Sequence, residues 1–97
     1  MSRHIPPDDV HSPRQHWNLI KVLRDQGEGD YALAIGRWDR KLRLAIRWNG
    51  SKDNPIGNPQ SRGLPTWFMV PEDFEEPIIK TLTGDELKLA RNFFTLR

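Results

Sequence analysis

Arg37, Arg40, Lys41, Arg43 and Arg47 crowd into one stretch, YALAIGRWDRKLRLAIRW, with Trp38 among them and Arg62 further along the chain. Cationic side chains at this density neutralise phosphates, and an accompanying tryptophan stacks on bases. The chemistry on offer is noncatalytic recognition of a single-stranded nucleic acid. Within KLRLAIRW, Leu42, Leu44, Ile46 and Trp48 alternate with Lys41, Arg43, Ala45 and Arg47. As a strand, this segment is apolar on one side and cationic on the other.

The element that must position these groups is a hairpin. A reversal at Asp39-Arg40 sets Ile35 opposite Leu44, Leu33 opposite Ile46 and Tyr31 opposite Trp48, an apolar face. The same register sets Gly36 opposite Arg43, Ala34 opposite Ala45, Ala32 opposite Arg47 and Trp38 opposite Lys41. The second face is then a low floor of Ala and Gly edged by cations, over which a nucleic-acid strand would lie close to the backbone. Asp-Arg lacks the glycine that a two-residue turn prefers, which points to a longer loop.

Before the hairpin, WNLIKVLR reads as a strand ended by the polar run DQGEGD. After it, NGSKDNPIGNPQSRGLP is too rich in Gly, Pro and Asn for a regular element. TWFMV, residues 66 to 70, reads as a fourth strand between Pro65 and Pro71. Pro71 and EDFEE suit a helix start, with Phe74, Ile78 and Leu82 at helical spacing and Pro77 placed to break or kink it. Thr83-Gly84-Asp85-Glu86 has the form of a capping box, and Leu87, Ala90 and Phe94, with Phe93 at the border, make the stripe of a last helix. The expected fold is α+β: a four-stranded antiparallel curved sheet followed by C-terminal helices, in the order β-β-β-β-α-α, with the helices on the apolar face and the cationic face open.

At 97 residues the chain is one domain. Residues 1 to 15, with Pro6-Pro7, Asp8-Asp9 and Pro13, read as a mobile arm, and residues 16 to 97 as the α+β domain. Net charge is only +2, but residues 31 to 50 hold five cations and one anion, and residues 71 to 86 hold six anions and one cation. The chain is electrically two-sided. There is no cysteine, which excludes disulfides and thiolate chemistry and fits a cytoplasmic protein. No apolar run has membrane-spanning length.

Ile46-Arg47-Trp48, a polar turn, Ser61-Arg62-Gly63 leading through Thr66 to a short strand, and an acidic helix start with Phe74 resemble the positive cofactor 4 family of transcriptional coactivators. Over about residues 17 to 82, the resemblance implies a dimer that binds single-stranded DNA on curved sheets, with helices at the dimer contact. In this chain the aromatic follows Arg47 directly, Leu64-Pro65 lengthens the path to Phe74, and a further helix follows Leu82.

Other constellations carry less. His4, His11 and His16 lie in or beside the arm, without the scaffold a metal site requires. Asp73 with Glu86-Leu87-Lys88 loosely echoes a metal-dependent nuclease, but Glu86 is better employed as a cap. No serine has a nucleophile setting and no Gly-rich run has phosphate-loop form, so neither catalysis nor a cofactor is expected. Two alternatives to nucleic acid stay open. The cationic face serves only solvation, or the chain is an interaction or assembly module with Trp38 and Trp67 as anchors. Phe74, Phe93, Phe94 and Leu96 are hard to bury together in so small a fold, which points to a homodimer.

Overall fold

The computed structural model describes residues 4 to 95. Strands β1 (Trp17–Asp25), β2 (Tyr31–Trp38) and β3 (Lys41–Trp48) form successive antiparallel hairpins. The long connection after β3 contains a two-stranded hairpin, β4 (Gln60–Ser61) with β5 (Leu64–Pro65). Strand β6 (Phe68–Met69) then pairs with β3, giving a four-stranded antiparallel sheet of order β1-β2-β3-β6. Helices α1 (Glu72–Ile79) and α2 (Gly84–Thr95) complete an α+β fold.

The β2–β3 register is the one that the alternation requires: Ile35 lies opposite Leu44, Leu33 opposite Ile46 and Tyr31 opposite Trp48. The connection is nevertheless two residues long. Asp39 and Arg40 have φ of 49° and 75°, the left-handed pair that lets a tight turn match the twist of its strands, here made without glycine.

Leu33, Ile35 and Leu44 pack with Leu23, Val70, Ile79, Leu82 and Ala90 in the layer beneath the helices, with Leu87, Phe93 and Phe94 at its border. Register shifts in β1, between Leu19 and Lys21 and between Val22 and Arg24, mark bulges. They let residues three apart share a face: Ile20 and Leu23 join the helix-side layer, while Leu19 and Val22 join the other. The same bulges blunt the outer edge of the sheet.

α1 follows Pro71 directly, and its first turn carries Glu72, Asp73 and Glu75. Pro77 sits inside the helix, which ends two residues later, so the proline terminates α1 more than it bends it. Glu86 does not serve as the acid of a capping box. Its carboxylate accepts hydrogen bonds from Arg24 Nε at 3.1 Å and Nη2 at 2.6 Å, tying α2 to β1. This charge-assisted bond, with a second to Tyr31 Oη at 3.1 Å, holds the Arg24 pKa above its ordinary value.

The second face of the sheet is covered. Val10, Trp17 and Trp67 are buried against Ala32, Ala34 and Ala45, with Ile5, Met69 and Trp38 packed around them. The expectations of an open cationic face and of a mobile arm through residue 15 are both corrected here; residues 1 to 3 lie outside the described residues. Pro7 opens a single 3-10 turn (Pro7–Asp9) and is buried, Val10 is fully buried, and the Trp67 indole donates to the Val10 carbonyl at 2.9 Å. The physical reason is the floor itself. Ala and Gly side chains cannot shield a sheet from water, so a sheet this bare recruits bulky covers from elsewhere in the chain. Trp67, read as an interface anchor, is one of those covers, and the strand expected over residues 66 to 70 shrinks to Phe68–Met69.

Candidate nucleic-acid interface

The cations of the hairpin divide into three groups. Arg47 is 2% exposed, and its guanidinium donates through Nη1 to the Thr66 carbonyl and through Nη2 to the Ile56 carbonyl. It pins the long connection against the sheet, and burial pushes its pKa below the ordinary arginine value. Gly57, with φ of 74°, allows the close approach: a side chain there would meet Arg47 Nη2 at 2.7 Å. Arg43 is also inside the fold. Its Nη2 donates to the Val70 carbonyl at 2.8 Å and its Nε lies 3.9 Å from the buried carboxylate of Glu75. Glu75 Oε2 in turn accepts the Leu44 amide at 3.4 Å, so this pair closes the sheet edge where β6 ends. Arg43 and Arg47 are therefore structural and leave the candidate interface. Lys41, on the surface, pairs with Glu72 at 2.6 Å.

Arg37 and Arg40 remain exposed beside the β2–β3 turn, and the structure adds Arg14, which the expectation of a mobile arm had passed over. The local reason is a tight return at Pro13, whose carbonyl accepts the amides of His16 at 3.0 Å and Trp17 at 2.8 Å. The His16 carbonyl then accepts the Asp39 amide at 2.8 Å, fastening the segment to the turn. Pairing of Trp17 with Trp38 and of Asn18 with Arg37 fixes the register. Once Trp17 stands opposite Trp38, the run PRQH must lie against Asp39-Arg40, but no local sequence signal sets that pairing.

Arg14, Arg37 and Arg40 line one concavity of about 350 Å³ with Gln15, His16, Trp17, Asn18 and Asp39. Asp39 is engaged by His16, Nδ1 to Oδ1 at 2.7 Å. The His16 ring also stacks on Trp38, with centroids 5.2 Å apart and planes 18° from parallel. Gln15 is shared with a second concavity, lined also by Ser12, Pro13, Ser61, Arg62, Leu64 and Thr66. Arg62 occupies the β4–β5 turn with φ of 53° and is exposed. Among the described residues none of Arg14, Arg37, Arg40 and Arg62 has an ion-pair partner. The two hollows share Gln15 and between them are lined by four guanidinium groups without an ion-pair partner among the described residues; His16, which stacks on Trp38, lines the first, and Asp39 is the one carboxylate in either lining.

Among the described residues, no three of His, Cys, Asp or Glu gather as a metal site requires, and no helix is long and apolar enough to cross a membrane. Compared with protein-family models, with curated proteins and with solved structures, the chain matches none. The resemblance to the positive cofactor 4 family accordingly rests on its residues. Of those, Ile46-Arg47-Trp48 is the end of β3, Ser61-Arg62-Gly63 the β4–β5 turn, and Phe74 an exposed side chain of α1.

Proposed function

We propose that the chain is a noncatalytic module that binds single-stranded nucleic acid along the arginine track at the β2–β3 turn. The observation that carries this reading is the convergence of Arg14, Arg37, Arg40 and Arg62 on two adjoining hollows without carboxylate partners. Guanidinium groups left unpaired in a concavity favour a polyanion, and a track favours a flexible strand over a compact anion. His16 stacked on Trp38 supplies a ring surface for a base beside the phosphate-binding groups. The covered floor of the sheet has no part in this reading.

The test is an anisotropy titration of a labelled dT oligonucleotide with the parent chain and with Arg14→Ala/Arg37→Ala/Arg40→Ala. The triple variant weakens binding and flattens the salt dependence by about 0.7 in slope for each phosphate no longer neutralised. Equal affinity of parent and variant would overturn the reading.

A second reading, self-assembly as a homodimer, is supported by Phe74, which is 59% exposed on α1. Phe93 and Phe94 are half-buried against the core and bear on it less, and Leu96 lies outside the described residues. Light scattering at micromolar concentration tests it: a dimer that Phe74→Ser dissociates supports it, and a monomer rules it out.

A further inference from the structure

Beside the hollow that holds Arg62 lies a third, different in kind. Ile46, Trp48, Asn58, Pro59 and Phe68, with Arg47, line a groove of about 480 Å³ whose walls are mainly apolar and include no carboxylate. Phe68 pairs with Ile46 across β6 and β3, and Trp48 stands two residues along β3 from Ile46, so the three side chains belong to one face of the sheet. Trp48 is 56% and Phe68 54% exposed, a large aromatic area to leave in water.

The groove is joined to the Arg62 hollow by backbone. Trp48 and Asn58 exchange two hydrogen bonds, from the Trp48 amide at 2.7 Å and from the Asn58 amide at 3.0 Å. The carbonyl of the next residue, Pro59, accepts the Thr66 amide at 3.0 Å, and Thr66 bridges to Ser12. Trp48, Asn58 and Pro59 line the groove, whereas Thr66 and Ser12 line the hollow of Arg62, so one ladder runs crosswise from the first to the second. Arg47 pins that ladder by donating to the Thr66 carbonyl. On its other flank Trp48 meets Tyr31, edge to face at 6.4 Å, and the acids of the β1–β2 turn, Asp25, Glu28 and Asp30, lie beyond that ring. An anionic chain is thus favoured on the Arg62 side of Trp48 and repelled past Tyr31.

We propose that this groove takes bases of the same strand whose phosphates lie in the arginine hollows, with the Trp48 indole as a stacking surface. The inference rests on the nucleic-acid reading and extends it past Arg62. A ligand that suits an apolar groove and an arginine hollow set side by side must carry a flat ring and an anion within one short repeat. A nucleotide strand does so, and only an unpaired one has ring faces free to meet an exposed indole. Phosphate neutralisation then belongs to Arg14, Arg37, Arg40 and Arg62, and base contact in the groove to Trp48 and Phe68.

The experiment is an anisotropy titration of two labelled single strands of equal length, one of dT and one in which every nucleotide is abasic, with the full chain and with Trp48→Ala. The parent prefers the dT strand. Trp48→Ala weakens dT binding about tenfold, leaves its salt slope unchanged, and leaves the affinity for the abasic strand as it was. Phe68→Ala, which removes the other exposed ring of the groove, weakens dT binding with the same selectivity. Equal dT affinity of the parent and both variants, in a chain whose dT binding the triple arginine variant does weaken, overturns this inference and leaves the arginine reading standing. If Trp48→Ala then also dissociates a dimer, the groove belongs to a second copy. Equal weakening on the dT and abasic strands overturns it too, because a lost phosphate contact or a damaged fold would act on both. A parent that binds no dT, or a triple arginine variant that binds as the parent does, overturns the arginine reading and this inference with it.

Discussion

The Trp17 indole lies over Gly36, where a Cβ would come within 2.6 Å of Trp17 Cζ2 and of the Asn18 carbonyl oxygen. The small residue that looked like room for a ligand is the seat of a core side chain. Gly36→Ala should therefore destabilise the fold by roughly 1–3 kcal/mol through overpacking, read as a lower urea midpoint. An unchanged midpoint would mean that Trp17 can leave its seat without loss.

Arg47 holds the long connection by two carbonyls and is almost fully buried. Arg47→Ala removes both donors and leaves the Thr66 and Ile56 carbonyls and an empty volume behind, so it should cost roughly 3–5 kcal/mol. Arg47→Lys should recover only part of this, since one ammonium group does not reproduce a planar fork spanning two acceptors. Denaturation midpoints of the two variants decide it. Midpoints equal to the parent's would show that the connection is held by other groups.

Removing residues 1 to 10 should lower the melting temperature by about 5 °C or more, because Val10 and Pro7 are buried and the Trp67 indole loses its acceptor. Val10→Ala alone should cost about 1–2 kcal/mol. A truncated chain that melted with the parent would restore the mobile arm.

The helix-side half of this molecule was legible because its signals are local. Alternation through β2 and β3 sets one register, and Pro71 with its following acids marks a helix start wherever the rest of the chain goes. The second face was illegible because its covers come from far away in sequence. Val10 touches Trp67 across much of the chain, and nothing in IPPDDV by itself separates a docked segment from a loose one. Arg47 misled for a related reason. Alternation says which side of a strand a residue faces, but not whether that side meets water or carbonyls, and the clue lay ten residues on, in a glycine at 57 that permits close approach. The candidate interface was legible only in part: Arg37, Arg40 and Arg62 lie on the track, whereas Arg14 is brought to it by the tight return at Pro13.

The last prediction separates stability from binding at a single residue. Arg40 is held at φ of 75° in the β2–β3 turn, beside Asp39 at 49°, a conformation that glycine adopts without the steric conflict of a Cβ. Its side chain is exposed and lines the arginine hollow without an ion-pair partner among the described residues. Arg40→Gly should thus stabilise the fold by about 0.5–1 kcal/mol, seen as a raised urea midpoint. The same change removes one guanidinium from the track, so oligonucleotide binding should weaken and its salt slope should fall by about 0.7. Stability and affinity moving in opposite directions is an outcome that a damaged fold cannot produce. If affinity held while stability rose, Arg40 would be a turn residue only, and the track would have to begin at Arg37 and Arg14.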